Sequence, residues 1–347
     1  MGEATPSNSR DDPADTAQFF ESLGSDSDAR AKAVLPTVAS EDASHLLGDP
    51  GLPPRSDTES DDREYTPSES IEWVITATFS GSPRLNPHKV SASFGSEWRR
   101  EFGGFIAYGR DAESGRWTFL ISADGPEAVT ELKLGWGYVP SDTDATMDDV
   151  AMFQRRLLAV SRVLAAFGDC RTACSLPPEE AVRRAGVLGK LKREFDRQAV
   201  LILSAPSGRR FAGRDVWNVM LCLGLRWGDM DCFHWENRSD DGDDHLFSVE
   251  TSTHPGYFLP ERIAAGAVNV EDLVFGFSIP RCACPCRVFD AMARAVEYCR
   301  QRLGGTILDE SGEPADIAST RAQIETLEHQ LNAHGIPPGS YDAMILF

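Results

Sequence analysis

Residues 153–195 and 289–331 carry one pattern at a constant offset of 136 residues, and this repeat constrains the fold more than any other feature. Phe153, Ala159, Val160, Phe167 and Gly168 correspond to Phe289, Ala295, Val296, Leu303 and Gly304. Pro178 corresponds to Pro314, and Leu188, Leu191 and Phe195 correspond to Ile324, Leu327 and Leu331. The last three are spaced i, i+3, i+7, one apolar stripe of a helix. An ungapped register of this length implies a tandem duplication, with units at 71–197 and 198–347.

The order of elements ahead of the repeat agrees. Trp73–Thr78 and Ala199–Ser204 predict opening strands, followed by helices near Val90–Trp98 and Asp215–Leu223. A Gly-led strand comes next (Gly104–Tyr108; Asp229–Phe233), then a polar turn and a return strand (Trp117–Ile121; His245–Val249). A fourth strand ends in proline (Leu132–Pro140; Leu273–Pro280), and the second unit adds an extended piece at Thr306–Asp309. The expected fold is α+β: two tandem split β-α-β units, each an antiparallel sheet with helices on one face. The other sheet face is then available for binding.

Residues 1–70 hold 16 acidic and 5 basic side chains, a net charge of −11 out of −20 for the chain. Such a segment buries too little apolar surface to offset its conformational entropy, so a disordered acidic tail is expected. Its one apolar patch, Ala17–Leu23, is read as incidental. The net charge of −20 argues against a nucleic-acid partner. No run of 18 apolar residues occurs and the N-terminal stretch is acidic, so neither a transmembrane helix nor a signal peptide is expected. Eight cysteines in that setting read as reduced thiols of a cytoplasmic protein.

The stretch Gly228–Phe258 predicts a hairpin. Met230, Cys232 and His234 alternate with Asp231, Phe233 and Trp235; Asp240–Asp244 supplies the turn; Phe247 and Val249 alternate with Ser248 and Glu250 on the return. His254-Pro255-Gly256 ends the pairing, because proline cannot donate to a ladder.

Ala199–Ile202, Gly228–Asp231, Phe233-His234, Leu246–Ser248, Pro255-Gly256, Phe258, Pro260-Glu261, Gly304-Gly305 and Leu308-Asp309 are words that occur together, in order, over about 140 residues. On these, the second unit resembles the ZipA C-terminal (FtsZ-binding) domain family, and residues 71–197 look like a diverged second copy. The resemblance implies a non-enzymatic bacterial cell-division scaffold that binds the C-terminal tail of FtsZ through the open sheet face during septum assembly. It implies no cofactor, no metal, no catalytic residue and no small-molecule substrate. It also implies a leading transmembrane helix, from which this sequence departs, so no direct membrane insertion is expected. Recruitment to the division site at the inner membrane would come through partners. Carried over residue by residue, the peptide-binding groove is Val200, Ile202, Met230, Cys232, Glu250, Ser252, Gly276 and Ser278. Val200, Ile202, Met230 and Cys232 keep its apolar character; Glu250, Ser252 and Gly276 depart from it. Those departures support a second reading, a ZipA-fold interaction module that has lost FtsZ and whose sheet faces pack on each other, on the chain's own tail or on another partner. The equivalent face of the first unit would carry Val74, Thr76, Phe105 and Ala107.

Other chemistry is weaker. Cys282, Cys284 and Cys286 sit at i, i+2, i+4 rather than in a C-x₂-C pair, Asp240–His245 lacks the closing Glu of a calcium loop, and no nucleophile accompanies His234 and His254.

Overall fold

The computed structural model describes residues 29–55, 64–81, 83–122, 125–140 and 148–347. Most of the expected tail, the Ala17–Leu23 patch included, lies outside the described residues. The chain divides into two compact units. One joins Gln198–Gln330 with the stretch that ends at Pro54; the other joins Arg55–Arg197 with Leu331–Phe347. Both are mixtures of helices and antiparallel sheet.

In the Arg55–Arg197 unit the sheet comprises β1 (Glu72–Phe79), β2 (Ile106–Asp111), β3 (Trp117–Phe119), β4 (Val129–Gly137) and β5 (Cys170–Cys174), in the order β3-β2-β4-β1-β5. β-Branched and aromatic residues dominate β1, as suits a pleated, buried surface. Trp73, Ile75 and Ala77 face the helices α1 (Pro87–Ala92), α2 (Ser96–Phe102), α3 (Val150–Leu164) and α4 (Pro178–Phe195). The Trp73 ring meets Phe153 of α3 edge-on at 4.9 Å. Asp149 starts α3 by accepting the Met152 amide, an N-cap that satisfies one orphan donor.

The register corrects the expected face of this unit. Ala107 pairs with Leu134, and Phe105 packs against Trp136, so both point to the helix side. Ile106 and Tyr108 lie beside Gly135 and Lys133 instead, sharing the other face with Val74 and Thr76. A one-residue difference in where β2 begins inverts every side chain.

The Gln198–Gln330 unit contains β6 (Gln198–Ser204), α5 (Gly213–Cys222), β7 (Arg226–Trp227), β8 (Phe233–Glu236), β9 (His245–Glu250), α6 (Pro260–Ala264), β10 (Asp272–Ser278), α7 (Pro285–Leu303), β11 (Thr306–Leu308) and α8 (Ile317–Ala333). Its sheet order is β11-β6-β10-β9-β8-β7, antiparallel throughout. Leu201, Leu203, Phe233, Phe247, Val249, Phe275 and Phe277 all turn inward, against Val288, Phe289, Met292 and Val296 of α7. The Gly304-Gly305 pair has a physical cause: Gly305 has φ +101°, and a Cβ there would collide with the Ser204 carbonyl oxygen.

The 136-residue offset carries into three dimensions through α3 and α7 and through the first residues of β5 and β11. The hairpins differ. The strand beside β4 is the first arm, β2, whereas the strand beside β10 is the second arm, β9. An extra strand, β7, inserted after α5, pairs with the outer arm β8.

Residues 29–55 depart from the expectation of disorder. A helical stretch at 29–34 and a 3₁₀ turn at Ser44–Leu46 bury Ala31, Leu35, Ala43 and Leu47 in the core of the Gln198–Gln330 unit. The Ala43 amide donates to the Cys222 carbonyl, and Arg294 donates to the carbonyls of Leu46 and Leu47. Four apolar anchors outweigh the acidic composition that surrounds them. Leu47→Ala is therefore expected to destabilise this unit by about 2–5 kcal/mol, read by urea unfolding of the full chain. A change within about 0.5 kcal/mol would mean the stretch contributes no core.

Candidate functional site

Period-two alternation along β6 and β10 splits the Gln198–Gln330 sheet into an inner and an outer face. Across the outer face, Leu308 pairs with Ile202, Ile202 with Val274, and Val274 with Glu250. This is a row of three apolar side chains closed by a carboxylate. The next row runs Val200, Gly276, Ser248, His234. Val200, Ile202, Val274, Gly276 and Ser278 are partly exposed and Glu250 is exposed. Among the described residues, no helix of this unit covers them in the manner that α7 covers Phe275 on the opposite side.

Gly276 leaves a dip in the surface. A Cβ there would make only ordinary contacts, 3.6 Å from the Ala199 carbonyl and 3.8 Å from Val200, so packing does not demand glycine at this position. Ser278, at the end of β10, has a hydroxyl shielded from solvent with no hydrogen-bond partner among the described residues. Ser252 lies beyond the end of β9, where its amide donates to Asp272 at 2.7 Å and its hydroxyl donates to the same carboxylate. Thr251 adds a third donor to Asp272 at 3.0 Å. The end of the face is thereby fixed.

Two carried-over positions sit differently from the expected strand. Asp229–Asp231 is a 3₁₀ turn rather than the start of a strand, and β8 begins only at Phe233. Met230 and Asp231 both adopt left-handed backbone, with φ of 55° and 57°. For non-glycine residues that costs on the order of 1 kcal/mol each and requires outside support. Arg30 supplies it: its guanidinium reaches Asp231 at 4.0 Å, pairs with Glu261 at 2.7 Å, and lies 5.6 Å from the Trp227 ring centre. Met230 is consequently displayed at the sheet edge with 78% of its surface exposed. Cys232 is buried. Burial, with Glu250, Asp231 and Asp229 nearby, pushes its thiol up to about 12, so it is a neutral packing group.

His234 is fully engaged. Nε2–H donates to the Asp229 carbonyl at 2.8 Å, leaving Nδ1 to accept from the Ser248 hydroxyl at 2.8 Å. It stacks on His245 at 3.9 Å. Burial holds it below the ordinary histidine value. It braces the Met230 turn against β9.

The sequence reading missed two members of the face, Val274 and Leu308, and set Ser248 on the Glu250 side without counting it in the groove. The alternation that places Phe275 and Phe277 inside also places Val274 outside, so that signal was present. Leu308 depends on the pairing of β11 with β6, a contact between segments about a hundred residues apart. The sulfur cluster stays apart from this face. Cys282 and Cys284 are buried before α7, and among the described residues no group of three or more His, Cys, Asp or Glu side chains is placed to hold a metal. The Asp240–Asp244 turn is held by Asn237, which donates to the carbonyls of Asp241 and Asp243.

The depressed His234 value fixes a pH dependence. As pH falls through about 6.5 the unfolded chain takes up a proton that the folded imidazole resists, so stability is present above that pH and lost progressively below it. The urea midpoint is expected to drop between about pH 7.5 and 5.5, and His234→Gln to flatten that slope. Equal slopes in the two proteins would contradict the assignment.

Residues 198–329 match the sequence model of a family described as ZipA, C-terminal FtsZ-binding domain. The cell division protein ZipA of Shewanella loihica is 28% identical over 116 residues, which cover 33% of this chain and 34% of that protein. ZipA of Shewanella woodyi is 24% identical over 155 residues, 45% of this chain and 48% of that protein. ZipA of Colwellia psychrerythraea is 27% identical over 123 residues, 35% and 32% respectively. The chain thus spans a third to a half of the length of these relatives. The ordered words of the sequence, the sheet with one helix-covered face, and these matches coincide on one segment: residues 198–329 form a domain of the ZipA C-terminal family.

Proposed function

We propose that this chain is a non-enzymatic cell-division protein whose outer sheet face, between β11 and the Met230 turn, binds the C-terminal tail of FtsZ. The observation that carries the reading is the apolar row Leu308, Ile202 and Val274, with Val200 beside it, in a domain whose family is described as FtsZ-binding. An apolar peptide laid on this row gains roughly 25 cal/mol per Å² of apolar surface buried. Met230 forms the lip of the face away from β11. Glu250 lies at that same side, which favours a tail that brings a basic side chain there. Among the described residues no helix is long and apolar enough to cross a membrane.

One observation favours the alternative, a ZipA-fold interaction module that has left FtsZ for another ligand. Gly276 offers no anchor in the middle of the face, and an apolar anchor buried there is worth about 1.5–3 kcal/mol. Titration of a fluorescent FtsZ C-terminal peptide against the full chain separates the two. The first reading expects saturable binding, weakened at least about tenfold by Ile202→Glu or Val274→Glu and less by Met230→Glu. Gly276→Leu is expected to tighten it by about tenfold, because the added side chain meets no clash. No saturation up to about millimolar peptide, or binding indifferent to Ile202→Glu, leaves the alternative.

A further inference from the structure

In the Arg55–Arg197 unit the sheet face without α1–α4 is not open. The C-terminal helix α9 (Tyr341–Leu346) lies on it. Tyr341 and Tyr108 meet hydroxyl to hydroxyl at 3.2 Å, and Tyr108 belongs to that face by register and is fully buried. Asp342 accepts from the Ser70 hydroxyl, just ahead of β1. Ala343 and Leu346 are buried, as is Val74 at the centre of the face.

This segment has the properties of a docked peptide rather than an integral element. A six-residue helix is far below the length that holds its shape in water, so its order comes from the surface beneath it. It is capped by its own Ser340, whose hydroxyl accepts the Ala343 amide. It is joined to α8 by Gly335-Ile336-Pro337-Pro338-Gly339, a Gly/Pro segment whose Ile336, Pro338 and Gly339 are themselves buried. Its composition, acidic near the start and then Met-Ile-Leu-Phe, is that of a short amphipathic peptide ligand.

We infer that this sheet face is a peptide-docking site whose resident ligand is the chain's own C-terminal segment, Ser340–Phe347, so the face is closed to outside peptides until that segment leaves. The covalent link holds the segment at an effective concentration on the order of 1 mM, so a segment whose own intrinsic Kd is about 100 µM lowers the apparent affinity of any outside peptide about tenfold. The inference does not rest on the FtsZ reading of the other unit.

The test places a protease site between His334 and Gly335, both exposed, and cuts the purified, folded chain. The Ile202→Glu background closes the other face, so failure of FtsZ binding there cannot be mistaken for failure here. The probe is a fluorescent synthetic peptide of residues 336–347. After the cut segment is dialysed away, the remainder is expected to keep its cooperative unfolding transition and to bind the probe saturably, at least tenfold tighter than the uncut chain does. Asp342→Ala in the probe should weaken binding. The inference is overturned if the remainder loses its fold when the segment leaves, if the probe does not rebind, or if cut and uncut chains bind it equally.

Discussion

The seven-residue ladder between β6 and β10, from Gln198 against Ser278 to Ser204 against Asp272, is the constraint on which the Gln198–Gln330 unit depends. Its unbroken register sends Leu201, Leu203, Phe275 and Phe277 to α7 and, by the same alternation, Val200, Ile202, Val274 and Gly276 to the opposite side. Core and candidate site are two readings of one pairing. A slip of a single residue would bury the site and expose the core, so the site cannot be altered in register without unfolding the unit.

Around that ladder, the parts of the site differ in how they are held. The apolar row is held by backbone pairing alone. The Met230 lip is held by side chains: two left-handed residues kept in place by Arg30, by Glu261 and by a neutral His234 bridging to Ser248. The stretch at 29–55, acidic and unremarkable in composition, thus reaches the site through Arg30. A shape that costs backbone energy and displays a large apolar side chain to solvent is characteristic of a binding surface.

The two units show how similar architectures reach different ends. Both use a sheet with helices on one side. In one unit the far side carries Val200, Ile202 and Val274 with, among the described residues, no helix of that unit over them; in the other Val74 and Tyr108 lie under α9. The hairpins also enter their sheets in opposite order, a divergence that leaves the repeated helices and the β5 and β11 starts untouched. Repetition is best kept where a long helix packs across several strands, because one altered side chain there disturbs many contacts.

Much of this was legible in the residues. Periodicity of two and of 3.6 named the inward side chains of β9 and the apolar stripes of α4 and α8, since local geometry dictates which residues share a face. The ordered words placed the family on the right segment. What only the tertiary structure decided were features that depend on contacts distant in the chain. Arg30 binds a turn two hundred residues away, the last seven residues cover the first sheet, Leu308 joins the apolar row, and Met230 leaves the strand it was read into. Alternation within a strand follows from covalent geometry and survives in the sequence; which segment comes to lie over a finished face is settled by packing free energy between parts of the chain that carry no local mark of each other.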